Sequence, residues 1–201
     1  MVFKAGAVPS MPDLACIGMI KKVGEVRLSN KGVYHVLPIE IEGTRGGRNG
    51  TYFFLFQPRW FEPNFDPAVL LAEDEAIRQE VDEFGKKKNS SLYTMYRRYI
   101  ADEKNVSVLQ ALAGDNWDAM AEAFDRQSNS DPKTIEGILR EYLTGNEVVY
   151  TMTQRTEDDG SLMDQYNISR FYPATEEGLK AVMESAKSSR RKRPLVITWD
   201  E

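Results

Sequence analysis

"GTRGGRNGTYFFLFQPRWF", residues 43–61, is the stretch on which the reading of the fold turns. Glycines and arginines (Gly43, Arg45, Gly46, Gly47, Arg48, Gly50) run straight into Tyr52, Phe53, Phe54 and Phe56, with Arg59, Trp60 and Phe61 behind them. A strand with one buried face alternates apolar and polar side chains, whereas this one carries rings on both sides. Two arrangements satisfy it. Either the rest of the protein covers both faces, or one set of rings fills a core and the other is offered outward for stacking.

The chain before this stretch reads as β-structure. "ACIGMIKKVGEVRLS" (15–29) is apolar and β-branched, and "NKG" (30–32) signals a turn. "VYHVLPIEIEG" (33–43) then alternates, with Val33, His35, Leu37, Ile39 and Ile41 on one face and Tyr34, Val36, Pro38, Glu40 and Glu42 on the other. Pro38 has no N–H for a ladder, so the strand has an edge, a bulge or a break there. With "TYFFLFQ" (51–57), these segments predict a three-stranded antiparallel meander.

From Pro63 the texture becomes helical. "DPAVLLAEDEAIRQEVDEFGKKK" opens with Asp66 as a cap and Pro67 at the first helical position, and Val69, Leu70, Ile77, Val81 and Phe84 recur at helical spacing. "SSLYTMYRRYIADE" (90–103) and "SVLQALAGDNWDAMAEAFDRQ" (107–127) predict two or three more short helices. "DPKTIEGILREYLTG" (131–145) repeats the Asp-Pro start and ends on Gly145, a C-cap residue. The β texture returns in "NEVVYTMTQRTEDDGSLMDQYNISRFYPA" (146–174), two strands around the hairpin signal "EDDG". "TEEGLKAVMESAKSS" (175–189) is a helix, and "RRKR" (190–193) precedes a terminal "PLVITWDE".

Three strands, a helical excursion and a two-strand hairpin make an α+β chain, mainly β with an α insertion. Five antiparallel strands with a helical element between the third and fourth is the order of an OB-fold barrel, and closure would remove exposed strand edges. The expectation is one domain. Residues 1–61 and 146–173 form an OB-like barrel, 62–145 a helical subdomain inserted between strands 3 and 4, and 174–201 a C-terminal helix and tail.

Composition excludes several chemistries. One cysteine, Cys16, allows no intrachain disulfide and fits a reducing cytoplasm. With one Cys and one His, no tetrahedral Cys/His zinc site can form. No GxxxxGK[ST] phosphate loop occurs, and no apolar run approaches the ~18 residues of a membrane span. Glu73, Asp74, Glu75, Asp82 and Glu83 read as a solvated helix face, and Glu40 and Glu42 are followed by no E-x-K. His35 lies on the apolar face. Neither a catalytic group nor a cofactor is expected, and the chain reads as a non-enzyme.

The net charge of −5 gives no bulk attraction to nucleic acid, but its distribution is uneven. Residues 1–61 carry 8 Lys/Arg against 4 Asp/Glu, whereas 62–145 carry 10 against 17. In the barrel reading, outward rings stack on bases, a contribution of ~1–3 kcal/mol per base that tolerates any sequence. Arginines in the adjoining loop meet phosphates, with its glycines allowing close approach of the backbone. Tyr52, Phe54, Trp60, Tyr34 and Tyr150 are then the stacking candidates, and Arg45, Arg48 and Arg59 the backbone clamps. Lys21, Lys22, Arg27, Arg155 and Arg170 would extend the cationic track, with Tyr166 and Tyr172 interleaved. Against this stand plain alternatives: buried rings, a solvated hairpin turn and solvated surface charges. The acidic insert is either scaffold or a protein-docking surface. "RRKR" reads as a nuclear signal, as a linker to a short strand, or as a tail gripped through Trp199.

The segments "GMIKKVGEVRLSNKGVYHVLPIEIEG", "GTYFFLFQPRWF" and "VVYTMTQRTEDDGSLMDQYNISRFYPAT", about half the chain, resemble bacteriophage-type single-stranded-DNA-binding proteins of the OB-fold superfamily. The resemblance implies work in DNA replication, recombination and repair. Such a protein coats single-stranded DNA (or RNA) in the host-cell cytoplasm and recruits replication or recombination proteins through a tail or the acidic insert. The chain departs from that pattern in its large helical insertion and in ending on "WDE" after a basic run. A protein-interaction or accessory module that grips another protein through barrel and insert is the alternative expectation.

Overall fold

A computed structural model describes residues 9–30, 35–56, 58, 108–127, 131–157, 159–188 and 193–199. In chain order the elements are β1 (Asp13–Val23), β2 (Arg27–Leu28), β3 (His35–Thr44) and β4 (Gly50–Phe56). Helices α1 (Val108–Ala113), α2 (Trp117–Asp125) and α3 (Pro132–Leu143) follow, then β5 (Glu147–Thr156), β6 (Leu162–Tyr172), α4 (Glu176–Lys187) and β7 (Leu195–Ile197). The helices expected between Asp66 and Glu103 lie outside the described residues.

The strands form one mainly antiparallel sheet. β4 pairs with β3, β3 with β1, β1 with β5, and β5 with β6. β2 takes up the edge of β3 that β1 leaves, and β7 adds to β1 in parallel. Seven strands therefore stand where five were expected, and among the described residues no ladder joins β4 to β6. The two meet instead through side chains: the Tyr52 ring lies edge-on to Phe171 with centroids 4.9 Å apart. Among the described residues no helix is long and apolar enough to cross a membrane.

Pro38 sits at the break between β1 and β2. Its carbonyl accepts from Gly24 N at 2.8 Å, and a strand residue points its C=O and N–H to the same edge. The position without a donor therefore faces the interrupted edge, while Pro38 stays in register with Phe53 of β4. The alternation of β3 holds from Leu37 to Glu42: Leu37, Ile39 and Ile41 are buried, and Glu40 and Glu42 are exposed. It fails at Val36, which is buried although its phase is that of the outward face.

Helical and strand side chains share one core. Leu109, Leu112, Met120, Ile138 and Leu139 pack in the same cluster as Ile20, Ile39, Phe54 and Tyr150. A second, smaller cluster lies on the other side of β1, where Ala15, Ile17 and Val149 meet Val182 of α4 and Leu195 of β7. Trp199 packs against this second cluster, so the tail is docked along its own sheet.

The predicted caps appear as read. Asp131 accepts from Thr134 N at 3.0 Å with Pro132 in the first turn, and Gly145 (φ 89°) follows the end of α3. The left-handed φ at Gly145 turns its N–H onto Ile20 O at 2.8 Å, and Asn146 O accepts from Ile20 N at 2.9 Å. The helical segment is thus fastened to β1 where it ends.

Glu136 of α3 fastens the chain again just past the same end of β1. Its carboxylate is 4% exposed and accepts from Val26 N (2.7 Å), Lys133 Nζ (3.0 Å) and Arg140 Nη2 (2.6 Å). Arg140 in turn donates to the carbonyls of Val23 and Gly24, each at 3.3 Å. Burial pushes the Glu136 pKa up, but the backbone and side-chain hydrogen bonds outweigh it and the net direction is below 4.5. A carboxyl with a depressed folded pKa adds stability at neutral pH and loses it as pH falls through that pKa. Glu136→Gln should therefore destabilise the fold at pH 7 by about 1.5–3 kcal/mol. It should also flatten the acid limb of a thermal-melting profile between pH 6 and 3. A variant whose melting temperature falls in acid as steeply as the wild type would show that Glu136 is not the group responsible.

Candidate nucleic-acid interface

β4 resolves the question of rings on both faces. Tyr52, Phe54 and Phe56 are 8%, 0% and 0% exposed and point into the core, whereas Phe53 is half-exposed. The interior rings form a packed row: Phe54 and Phe56 stack with centroids 5.7 Å apart, and His35 lies 5.6 Å from Phe56. Burial lowers the His35 pKa, which keeps the imidazole neutral near pH 7 and removes it as a phosphate partner. Tyr52 and Phe54 therefore offer no face to a base. The ring on this strand that offers a face to solvent is Phe53.

Tyr150 is corrected in the same way. It is fully buried on β5, and its hydroxyl donates to Arg48 O. Burial, with Cys16 adding in the same direction, raises its pKa far above the usual phenol range. Tyr150 is therefore an internal strut that holds the β3–β4 loop from beneath. Tyr34, Arg59 and Trp60 lie outside the described residues.

The outward face of β1, β3 and β4 is laid out by register. Pro38 stands opposite Phe53. One row to one side, Val36 is opposite Leu55 on β4 and Arg27 on β2. One row to the other side, Glu40 is opposite Thr51 on β4 and Lys22 on β1. Phe53 thus lies between two rows, each ending in a cation on the third strand. A bulge after Ile20 turns Lys21 and Lys22 outward together. Lys21 pairs with Glu42 at 3.1 Å and Lys22 with Glu40 at 3.9 Å.

The glycine-arginine loop is built for close packing first. A Cβ on Gly47 would fall 2.5 Å from Ile17 O, and one on Gly46 (φ 83°) 2.6 Å from Thr198 O. These glycines let the loop lie against β1 and the segment after β7; in the sequence they read as room for a phosphate. Arg45 is exposed and pairs with Glu147 at 4.0 Å. Arg48 is exposed over the Tyr166 ring at 5.0 Å, and Tyr166 is itself anchored by its hydroxyl to Pro12 O at 2.8 Å.

Two cations fall elsewhere. Arg170 lies over Tyr172 at 6.0 Å, and Tyr172 packs in the α4-covered cluster. Arg155 stands near the β5–β6 turn. The structure therefore places Lys21, Lys22 and Arg27 on the far side of β3 from Phe53, and Arg45 and Arg48 on the β3–β4 loop. Arg155 and Arg170 stand on other parts of the sheet. Among the described residues no ion pair engages Arg27, Arg48 or Arg155, and no cluster of three His, Cys, Asp or Glu could hold a metal ion.

No protein-family model and no curated protein matches the chain.

The partition of the β4 rings has a direct stability test. Phe54→Ala should cost about 3–5 kcal/mol in urea denaturation, because it opens a cavity in a packed core. Phe53→Ala, on the solvent side, should cost less than about 1 kcal/mol. Equal losses would mean that both rings are core.

Proposed function

We propose that the protein binds single-stranded nucleic acid, DNA in the first instance, without sequence preference and without catalysing a reaction. The observation that carries this reading is Phe53: a half-exposed ring on a strand face, with Lys22 on β1 and Arg27 on β2 standing across β3 from it, one row to either side. A base stacked on Phe53 would place its neighbouring phosphates over those cations, and Arg48 on the β3–β4 loop would prolong the path. Stacking tolerates every base because each has a π-face.

The strand order supports the same reading. β4-β3-β1-β5-β6, with helices between β4 and β5, follows the connectivity of a five-stranded OB barrel. In this reading the side-chain contact between β4 and β6 stands in for a closing ladder, and β2 and β7 are additions to the barrel. The proposed roles in replication, recombination and repair, the bacteriophage-type resemblance and a cytoplasmic setting follow from the binding activity and are proposals with it.

One observation favours the alternative, a protein-interaction module. The face around Phe53 carries carboxylates beside its lysines, and mixed charge around an exposed ring suits a protein partner as well as a polyanion.

Titration of fluorescein-labelled dT oligonucleotide and a matched duplex, followed by anisotropy, separates the two. Binding to the single strand should weaken with salt at a slope of about −2 in log K against log salt, for roughly three neutralised phosphates. Phe53→Ala should weaken it by about 5- to 150-fold, the loss of one stacked base. A folded Phe53→Ala variant that binds as the wild type does would remove Phe53 from the site. Absence of any oligonucleotide binding at micromolar protein would turn the search to protein partners.

A further inference from the structure

We infer that Glu40 and Glu42 act as built-in competitors of phosphate on the Phe53 face, so that the resting surface is neutral and a ligand must displace carboxylates to reach the lysines. The inference deepens the single-strand reading by naming what regulates affinity at that same site.

The argument starts from register. Glu40 is opposite Thr51, next along β4 from Phe53 on the same outward face, a diagonal neighbour at about 7–8 Å in a sheet of ordinary geometry. Its other cross-strand partner is Lys22, and the two form an ion pair at 3.9 Å. Glu42 is paired with the adjacent Lys21 at 3.1 Å. All four side chains are about half to two-thirds exposed. Exposed pairs of this kind are worth only a fraction of a hydrogen bond in water, so they are easily exchanged. They nevertheless cancel two positive charges in the place where a phosphate would sit. The bulge that turns Lys21 and Lys22 outward together gives each lysine its own carboxylate.

Two consequences follow for binding. A phosphate that reaches Lys21 or Lys22 sheds its condensed cation, but the freed carboxylate attracts cations in turn, so the net release and the salt dependence are smaller than the number of lysines suggests. The freed carboxylates also repel the incoming chain. This penalty falls on every polyanion alike. One that offers only charge is left with little affinity, whereas a single strand keeps its stacking on Phe53.

The test compares wild type with a Glu40→Gln/Glu42→Gln variant, using fluorescein-labelled dT oligonucleotide and fluorescein-labelled heparin across a salt series. Glu177→Gln/Glu184→Gln on α4 serves as a control for net charge, and urea denaturation checks folding. The face variant should bind dT roughly 3- to 30-fold more tightly, with a salt slope steeper by up to about 1.4, and heparin should also bind more tightly. An unchanged dT affinity and slope, or an equal gain in the α4 control, would overturn the competition. A gain for dT with none for heparin would overturn it too, because the same lysines would meet both polyanions. If the face variant binds dT and the wild type does not, the competition stands and single-strand binding by the native protein falls. If neither binds dT, both fall.

Discussion

The rest of the structure depends on β1 being buried on both sides. Cys16, Ile20 and Val23 face the main core, and Ala15 and Ile17 face the cluster under α4. Along its edges β1 holds β3, β5 and β7. A strand covered on two faces and paired on two edges has no room for error. A Cβ on Gly18 would meet Glu42 O at 2.6 Å and the Tyr150 ring at 3.1 Å. The apolar run "ACIGMI" is the sequence form of this constraint, interrupted at Met19, which is 47% exposed. Past Ile20, where the bulge lies, β1 shows its lysines.

Because β1 is held so firmly, the surfaces attached to it are held as well. Tyr150, opposite Cys16 in the β1–β5 ladder, reaches through the core to the carbonyl of Arg48. Glu136 and Arg140 grip the backbone where β1 gives way to β2. The loop bearing Arg45 and Arg48 and the turn leading to Arg27 are thus positioned from inside. A surface whose cations are already in place loses less entropy on binding than one that must be ordered.

Much of this organisation was legible in the sequence, and the exceptions have physical causes. The caps of α3, the β5–β6 hairpin, the apolar face of β3 and the terminal strand are local signals, and each appears in the structure. The phase of β4 was misread: Tyr52 and Phe54 were taken for the outward rings, yet Thr51 already marks the solvent side, and Phe53 shares its phase. A slip of one residue exchanges the two faces of a strand, and three large rings in succession, Tyr52 to Phe54, hide the alternation that would have prevented it. Tyr150 follows Val148 and Val149 and shares its strand phase with Met152, so local sequence is compatible with burial. The acceptor that lets its hydroxyl be buried, Arg48 O, is 102 residues away. The helical texture of 107–127 and 131–145 is local too, and it cannot say that Leu112 and Leu139 fill the same core as Phe54. The glycines at 46 and 47 were read as space for a ligand, when the space is filled by the chain's own backbone.

The parallel pairing of β7 with β1 places a constraint in time as well as in space. Thr198 donates through its hydroxyl and its N–H to the carbonyl of Ala15, across 183 residues of sequence. On a ribosome that adds roughly 5–20 residues per second, β1 emerges many seconds before β5 or β7 exists to cover it. For that interval its apolar run is an open strand edge, the kind of surface that pairs with the wrong neighbour. Folding dominated by such distant pairings is slow, because loops must close before any contact rewards them. The strand that organises the finished molecule is therefore also the one that a nascent chain must keep from its neighbours the longest.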